Sequence, residues 1–375
     1  MIYLDNAATT LIKPKEVGIA MTRALSVMSS PGRGGHPYAM AAAECAFKCR
    51  EKAAEMFNIP NPEHVVFTFN ATHGLNIAIR SLVKKGDRVL VSGYEHNSVI
   101  RPLKLIGADV QVCRSEPFEP ESAMLAFEQR LSRDVACVIV NHVSNVFGYV
   151  LPVERIGKLC REYGVPLIVD ASQSAGSVNV DFAETGAEFI AMPGHKGLYG
   201  PQGTGLLLCG EKAKTLLAGG TGSSSASWEM PDYLPDMLEA GTHNMPGIAG
   251  LSAGLDYIRR VGREKILAHE RELVSLTAKG MAQIKNVTAY ASPYGYSQAG
   301  VIAFNLKDKS SEWVGQELVK RGIAVRAGLH CSPEAHKTAG TFETGAVRAS
   351  FSAFSRKRDV FKLLNEVEYL ASLNK

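Results

Sequence analysis

Five short apolar runs, separated by amphipathic stretches, limit what this chain can fold into more than any other feature. They are 65–69 (VVFTF), 88–92 (RVLVS), 136–140 (ACVIV), 166–170 (PLIVD) and 188–192 (EFIAM). Each is strand-sized, and β-branched residues are frequent in them. Helix-like periodicity fills the gaps, as at 75–83 and 153–163. Buried strands alternating with helices predict an α/β fold with a mostly parallel sheet covered on both faces. Such sheets bind ligands at the carboxyl ends of their strands. After about Gly250 the pattern changes to two long amphipathic helices around 254–284, short strands near 301–304 and 322–326, and a closing helix. In that last helix Val360, Leu363, Leu364, Val367 and Leu370 recur at helical spacing. With 375 residues, about two domains are expected at roughly 150 residues each. The division read here is a large domain over 13–252 and a smaller α+β domain made of 1–12 and 253–375.

Composition removes several function classes. The 41 basic and 37 acidic side chains nearly balance, and no dense basic run occurs, so neither nucleic acid nor an anionic membrane is the expected partner. Small anionic ligands need only a few local cations. The first ten residues, MIYLDNAATT, lack the basic and apolar segments of a signal peptide. No apolar run is long enough to cross a bilayer. Seven cysteines without paired spacing fit a reducing cytoplasm, and no metal-ligand spacing is evident. Cys45 and Cys49, one helical turn apart, read as packing residues. The glycine-rich segment 219–227 reads as a mobile loop. GxxxxGK[ST] is absent and 203–209 (GTGLLLC) lacks the third glycine of GxGxxG, so neither ATP nor NAD is indicated.

The strand ends carry the chemistry. After Phe69 comes 70–76 (NATHGLN), where free N–H groups at a helix start and the Thr72 hydroxyl suit a phosphate. An ordinary capped helix would look the same. His96 follows the second run and could stack on an aromatic ligand or move protons; alone, it is as readily a hydrogen-bonded loop residue. The third run leads to the Asn145 amide. The fourth delivers Asp170, with Gln173 beyond it, and a buried carboxylate needs a cation or strong donors. The fifth run enters 192–205 (MPGHKGLYGPQGTG), which holds one lysine, Lys196, among five glycines and two prolines. An anion site, an imidazole, an amide, a carboxylate and an amine together meet the needs of pyridoxal phosphate: a lysine Schiff base, an acid for the ring nitrogen and a phosphate cup. The glycines let the backbone pack closely while Lys196 points inward.

Several segments, 3–10 (YLDNAATT), 33–36 (RGGH), 95–97 (EHN), 143–148 (VSNVFG), 169–174 (VDASQS), 194–201 (GHKGLYGP) and 239–242 (EAGT), resemble the class V aminotransferase-fold enzymes. Within that group the chain is most similar to cysteine desulfurases and selenocysteine lyases. The resemblance implies Lys196 as the Schiff-base lysine, Asp170 as partner of the pyridinium nitrogen, Gln173 at the phenolic oxygen and His96 over the ring. It places Thr72, His73 and His195 with the cofactor, and Asn145 and Arg348 with the substrate, Arg348 as a bidentate carboxylate clamp. Arg326 and His36 are further substrate-side candidates. Cys331, in 326–333 (RAGLHCSP), matches the cysteine that attacks the substrate sulfur and becomes a persulfide. An ordinary thiol is mostly protonated at neutral pH, so His96 or the substrate must assist.

The implied substrate is L-cysteine or L-selenocysteine, with a possible sulfur-acceptor protein. The implied assembly is a homodimer with a shared site, in which Thr242 reaches the neighbour's phosphate. Transamination or β-elimination on the same fold, and a cofactor-binding scaffold of low turnover, are the competing readings. Two departures from the family pattern stand out. Pro193 replaces a phosphate-contacting serine, and 354–358 (FSRKR) replaces an aromatic-Asn-Thr run, with Ser355 available to cap the last helix.

Overall fold

All five apolar runs form strands in the computed structural model, which describes residues 1–32 and 34–373. Counting from the short strand Ile2–Tyr3 (β1), they are β2 (Val65–Thr68), β3 (Arg88–Ser92), β5 (Cys137–Asn141), β6 (Leu167–Asp170) and β7 (Phe189–Pro193). Asp109–Cys113 (β4) and Gly205–Cys209 (β8) complete a seven-stranded sheet in the order β2-β8-β7-β6-β5-β3-β4. The pairs among β4, β3, β5, β6 and β7 are parallel; β8 runs antiparallel to both β7 and β2.

Alternate strand residues feed two apolar clusters. Leu90, Val138, Val140, Val169 and Ile190 pack on one face, and Val89, Val91, Ile139, Ile168 and Ala191 on the other. Two covered faces explain why these strands read as unbroken apolar runs. The helices Ala71–Leu82, Asn97–Ile106 and Val153–Tyr163 lie between strands as the sequence pattern predicts.

A second sheet is antiparallel, in the order β12-β13-β10-β9, from Val287–Tyr290 (β9), Val301–Leu306 (β10), Arg326–Gly328 (β12) and Ala346–Ser350 (β13). Between β10 and β12, Ile323–Ala324 (β11) pairs in parallel with β1, Ile2 lying opposite Ile323. The chain start is thereby fixed beside the second sheet, and Leu4 joins that sheet's core. The closing helix spans Lys357–Ser372 and buries Val360, Leu363, Val367 and Leu370. Its cap differs from expectation. Asp359 Oδ2 accepts from the Arg356 N–H at 2.8 Å, while the Ser355 hydroxyl turns back to accept from Ser352 N at 3.0 Å. Among the described residues no helix is long and apolar enough to cross a membrane.

Candidate active site

Thr72, His96, Asn145, Asp170, Gln173, His195 and Lys196 line one cavity at the carboxyl ends of the large sheet's strands, together with Ser98, Asn141, Ser172 and Pro193. Strand register accounts for the convergence. Asn141 lies opposite Asp170, and Asp170 opposite Ala191, so β5, β6 and β7 deliver their following residues side by side.

At one end, Asn70 caps the helix Ala71–Leu82 by accepting from His73 N at 3.0 Å. The N–H groups of Ala71 and Thr72 have no backbone or side-chain partner among the described residues, which leaves an anion site beside the Thr72 hydroxyl. That hydroxyl is 2.8 Å from Ser98 Oγ, and Ser98 Oγ is 2.9 Å from His96 Nδ1. Ser98 N also donates to His96 Nδ1 at 3.0 Å. A backbone N–H can only donate, so Nδ1 is an acceptor and the neutral ring carries its proton on Nε2. Burial lowers the His96 pKa and favours that neutral form.

Asp170 closes β6 and is 4 % exposed. Its Oδ1 accepts from Ser172 N at 2.9 Å and from Ser172 Oγ at 2.5 Å, while Oδ2 has no hydrogen-bond partner among the described residues. Behind it, Glu95 is fully buried and accepts from Ser92 Oγ at 2.5 Å and Asn141 N at 2.8 Å. Burial pushes the Glu95 carboxyl up to about 8, so it is protonated at neutral pH. Gln173 donates to Ala7 O at 2.8 Å, tying the cavity to the chain start.

The turn after β7 carries Lys196. Burial, with Arg348 and Arg326 nearby and Asp170 opposing them, lowers its ammonium to about 8. An amine so placed is partly unprotonated near neutral pH and can act as a nucleophile. The turn is anchored through one carbonyl: His195 O accepts from Lys13 Nζ at 2.8 Å, Thr9 Oγ1 at 3.1 Å and Thr10 N at 3.2 Å. A Cβ on Gly197 would lie 2.3 Å from Ala175 O, so only glycine permits this backbone approach. His195 Nδ1 is buried without a partner, a donor or acceptor waiting for a ligand.

Arg348 and Cys331 lie outside the cavity wall but are joined to it through Asn145. Arg348 is 2 % exposed, donating to Asn145 O at 2.9 Å and to Asp5 Oδ1 at 2.8 Å. Its Nε is buried and unpaired. Arg326 grips Asp5 Oδ2 through Nε at 3.1 Å and Nη2 at 2.9 Å. Of the seven cysteines, Cys331 alone is exposed. Asn145 Nδ2 donates to His330 O at 2.9 Å, and Ser332 Oγ donates to Asn145 Oδ1 at 2.6 Å.

Three of the selected residues lie elsewhere. His36 caps the helix Pro37–Phe57, accepting from Ala39 N at 3.3 Å. His73 turns from the cavity to stack on Phe69, with ring centroids 4.6 Å apart, and shares a second pocket with exposed Thr242. In that pocket Glu239 is fixed by a buried two-point pair with Arg50, at 2.8 and 2.6 Å. Arg33 lies outside the described residues. Sequence reasoning passed over Ser98, Ser172, Ser332 and Asp5 as individual site residues. Hydroxyls and carboxylates in loops are too common for spacing alone to single them out.

The donor set fits pyridoxal phosphate. The free N–H groups at Ala71 and Thr72, the orphaned His195 Nδ1, a carboxylate with one unpaired oxygen and a lysine of lowered pKa are the groups such a ligand needs.

An α/β sheet with these groups at its strand ends defines a class of pyridoxal-phosphate-type folds, and comparison with known proteins narrows it. The class-V aminotransferase family matches residues 2–363, and the chain belongs to that family. Among curated relatives it is 33 % identical to a probable cysteine desulfurase of Methanothermobacter thermautotrophicus, over 99 % of this chain and 95 % of that one. A probable cysteine desulfurase of Pyrococcus abyssi is also 33 % identical, over 99 % and 94 %. Among solved structures, the apo cysteine desulfurase of Thermococcus onnurineus superposes with a TM-score of 0.91 at 32 % identity, covering 99 % of this chain and 94 % of that chain. The cysteine desulfurase CsdA of Escherichia coli, in its S-sulfonic acid form, gives 0.86 at 26 % identity, covering 98 % and 94 %.

Proposed function

We propose that this chain is a cysteine desulfurase that takes sulfur from L-cysteine, releases L-alanine and holds the sulfur as a persulfide on Cys331. The observation that carries the reading is Asn145, whose backbone carbonyl holds Arg348 while its side chain holds the loop of the one exposed cysteine. A carboxylate clamp and a thiol thus meet at the edge of a cavity furnished for pyridoxal phosphate. Bound there, the cofactor would supply an electron sink that acidifies the substrate α-carbon and labilises the Cβ–S bond.

The residues divide the work. Thr72, the helix N–H groups and His195 Nδ1 would hold the phosphate. Asp170 would hold the ring-nitrogen proton, Gln173 the phenolic oxygen, and Lys196 Nζ the covalent link and the α-proton. His96, with its proton on Nε2, offers a stacking face and a donor rather than a base. Arg348 binds the substrate carboxylate, using donors that Asp5 and Asn145 leave free. Cys331 as thiolate attacks the substrate sulfur. The S–S bond forms as the Cβ–S bond breaks, the electron pair stays with carbon, and Cβ takes a proton. The sum is thiol plus cysteine giving persulfide plus alanine, with sulfur oxidised and carbon reduced.

An exposed persulfide is open to an acceptor protein. The exposed position of Thr242, away from its own chain's cavity, supports a two-fold dimer in which it serves the partner's phosphate site. The test is product analysis with L-cysteine and L-selenocysteine, with mass spectrometry of the Cys331 peptide. Alanine matched by one added sulfur on that peptide is expected. Pyruvate with no added sulfur would replace this reading by β-elimination, and turnover confined to selenocysteine would make the enzyme a selenocysteine lyase.

A further inference from the structure

Two successive non-glycine residues, His330 and Cys331, hold left-handed backbone conformations at φ 51° and 57°. Side chains disfavour that region, so such a pair persists only where surrounding bonds over-determine it. The bonds that hold the pair begin with a tight turn, in which Ser332 N donates to Leu329 O at 2.9 Å. Asn97 N, one residue past His96, donates to Cys331 O at 2.8 Å. Asn145 Nδ2 donates to His330 O at 2.9 Å. Ser332 Oγ donates to Asn145 Oδ1 at 2.6 Å, and Ser332 is fully buried. On the far side the His330 ring stacks on His336 with centroids 5.6 Å apart.

Both ends of the Asn145 carboxamide are therefore engaged by the residues flanking Cys331. The amide is a strut before it is a ligand: His330 O can only accept, so Nδ2 must face it, and the Ser332 hydroxyl then holds Oδ1 from the other side.

We propose that Ser332 is a positioning residue for Cys331, fixing the Asn145 carboxamide so that the His330-Cys331 backbone stays in the left-handed form from which the thiol reaches the substrate sulfur. This rests on the reading of Cys331 as the sulfur-accepting residue. Ser332 is sealed from solvent, does not line the cavity and makes no hydrogen bond to Arg348, so it reaches the substrate site only through Asn145. Asn145 is the point where the carboxylate clamp and the thiol loop share one residue.

Ser332→Ala removes the hydroxyl and frees the carboxamide to rotate. Single-turnover persulfide formation on the holoenzyme should fall on the order of tenfold, as expected when a buried bond is lost and its acceptor stranded. The KM for cysteine should move less than twofold and the cofactor absorption not at all. The rate at which iodoacetamide alkylates Cys331 should change, because the thiol's backbone is no longer fixed. Asn145→Asp is the second variant. It keeps an acceptor for Ser332 but sets a carboxylate oxygen against His330 O, and should also alter alkylation. Ser332→Ala forming persulfide at the parent rate overturns the proposal, as does a loss of rate shared equally by cofactor binding. Persulfide formation by Cys331→Ser would instead sink the functional reading, and leaves the two failures distinguishable.

Discussion

The turn that carries Lys196 and the loop that carries Cys331 solve the same problem, holding a proposed nucleophile, by different means. The lysine turn is fixed by close backbone packing, glycine against glycine, and by several side-chain donors gathered on His195 O. The cysteine loop is a tight turn held from outside by single bonds from Asn97 N and the Asn145 side chain, with Ser332 bracing that side chain, and its thiol is exposed. An amine that anchors a cofactor needs one position. A thiol that must meet a buried substrate and then an outside acceptor needs a hold that can let go. Backbone packing suits the first task, and a few hydrogen bonds suit the second.

The sharpest test exchanges the two nucleophiles' fates. Lys196→Ala should lose both covalent cofactor attachment, read by borohydride reduction and peptide mass, and all turnover. Cys331→Ser should keep the cofactor spectrum, since Cys331 lies outside the cavity wall, and lose persulfide formation. Reduction that labels another lysine would remove Lys196 from its proposed role.

Substituting the glycine of the turn comes next in size. In Gly197→Ala the new methyl would meet Ala175 O at 2.3 Å. That atom is backbone, not a flexible side-chain end, so the strand-end geometry must shift. A loss of about 3 kcal/mol or more is expected, within the range of overpacked and strained sites. Urea unfolding measures it, and an unchanged midpoint would mean the turn is looser than its contacts imply.

Much of the large sheet was legible because its strands are buried on both faces and so apolar throughout. Two strands were not. Asp109–Cys113 is an edge strand in which polar Asp109 and Gln111 interrupt the pattern, and it pairs only with β3. Gly205–Cys209 is apolar and fully buried, yet it directly follows the glycine turn, and its glycine-led start reads as an incomplete nucleotide-binding loop rather than as a strand. At the site, strand-end residues stood out because α/β sheets concentrate ligands there. Strand order was not legible, since nothing in a one-dimensional sequence states that β5, β6 and β7 are neighbours. Nor were the bonds from Ser98, Ser332 and Asp5, which depend on chain segments up to 343 residues apart.

Acidity sharpens the comparison, because two of the buried neutral histidines, His330 and His336, stack within the cysteine loop and the helix after it. Burial lowers His142 and His336 to about 4 and His330 to about 2. It raises Glu95 and Glu270 to about 8. Unfolded histidine titrates near 6.5 and glutamate near 4.3. Between about pH 4.5 and 6.5 the unfolded chain binds more protons at the three histidines than it lacks at the two carboxyls, so stability rises with pH. From about 6.5 to 8 the two carboxyls outweigh the remaining histidine difference and the lowered Lys196, the folded state binds more protons, and stability falls. Urea midpoints should peak near pH 6.5. A peak below pH 5 or above 8 would show that these five groups do not dominate the balance.

The smallest expected effect separates both regions from the third one, around Thr242. Glu239 is held by Arg50 at 2.8 and 2.6 Å and by the Phe67 N–H at 2.7 Å, so the segment that follows it leaves a fixed root. Thr242 itself is exposed and shares its pocket with Phe69 and His73, away from the Lys196 cavity. In the proposed dimer its hydroxyl completes the partner's phosphate cup, which lacks the serine that Pro193 replaces. A hydrogen bond to a charged group contributes roughly 1.5–3 kcal/mol. Thr242→Val should therefore weaken cofactor affinity by about tenfold to a hundredfold, measured by titrating the apoprotein and following absorbance. Pyridoxal without its phosphate should bind both proteins alike. If valine leaves the pyridoxal phosphate titration unchanged, or if the fully active species sediments as a monomer, Thr242 only forms a turn on its own chain.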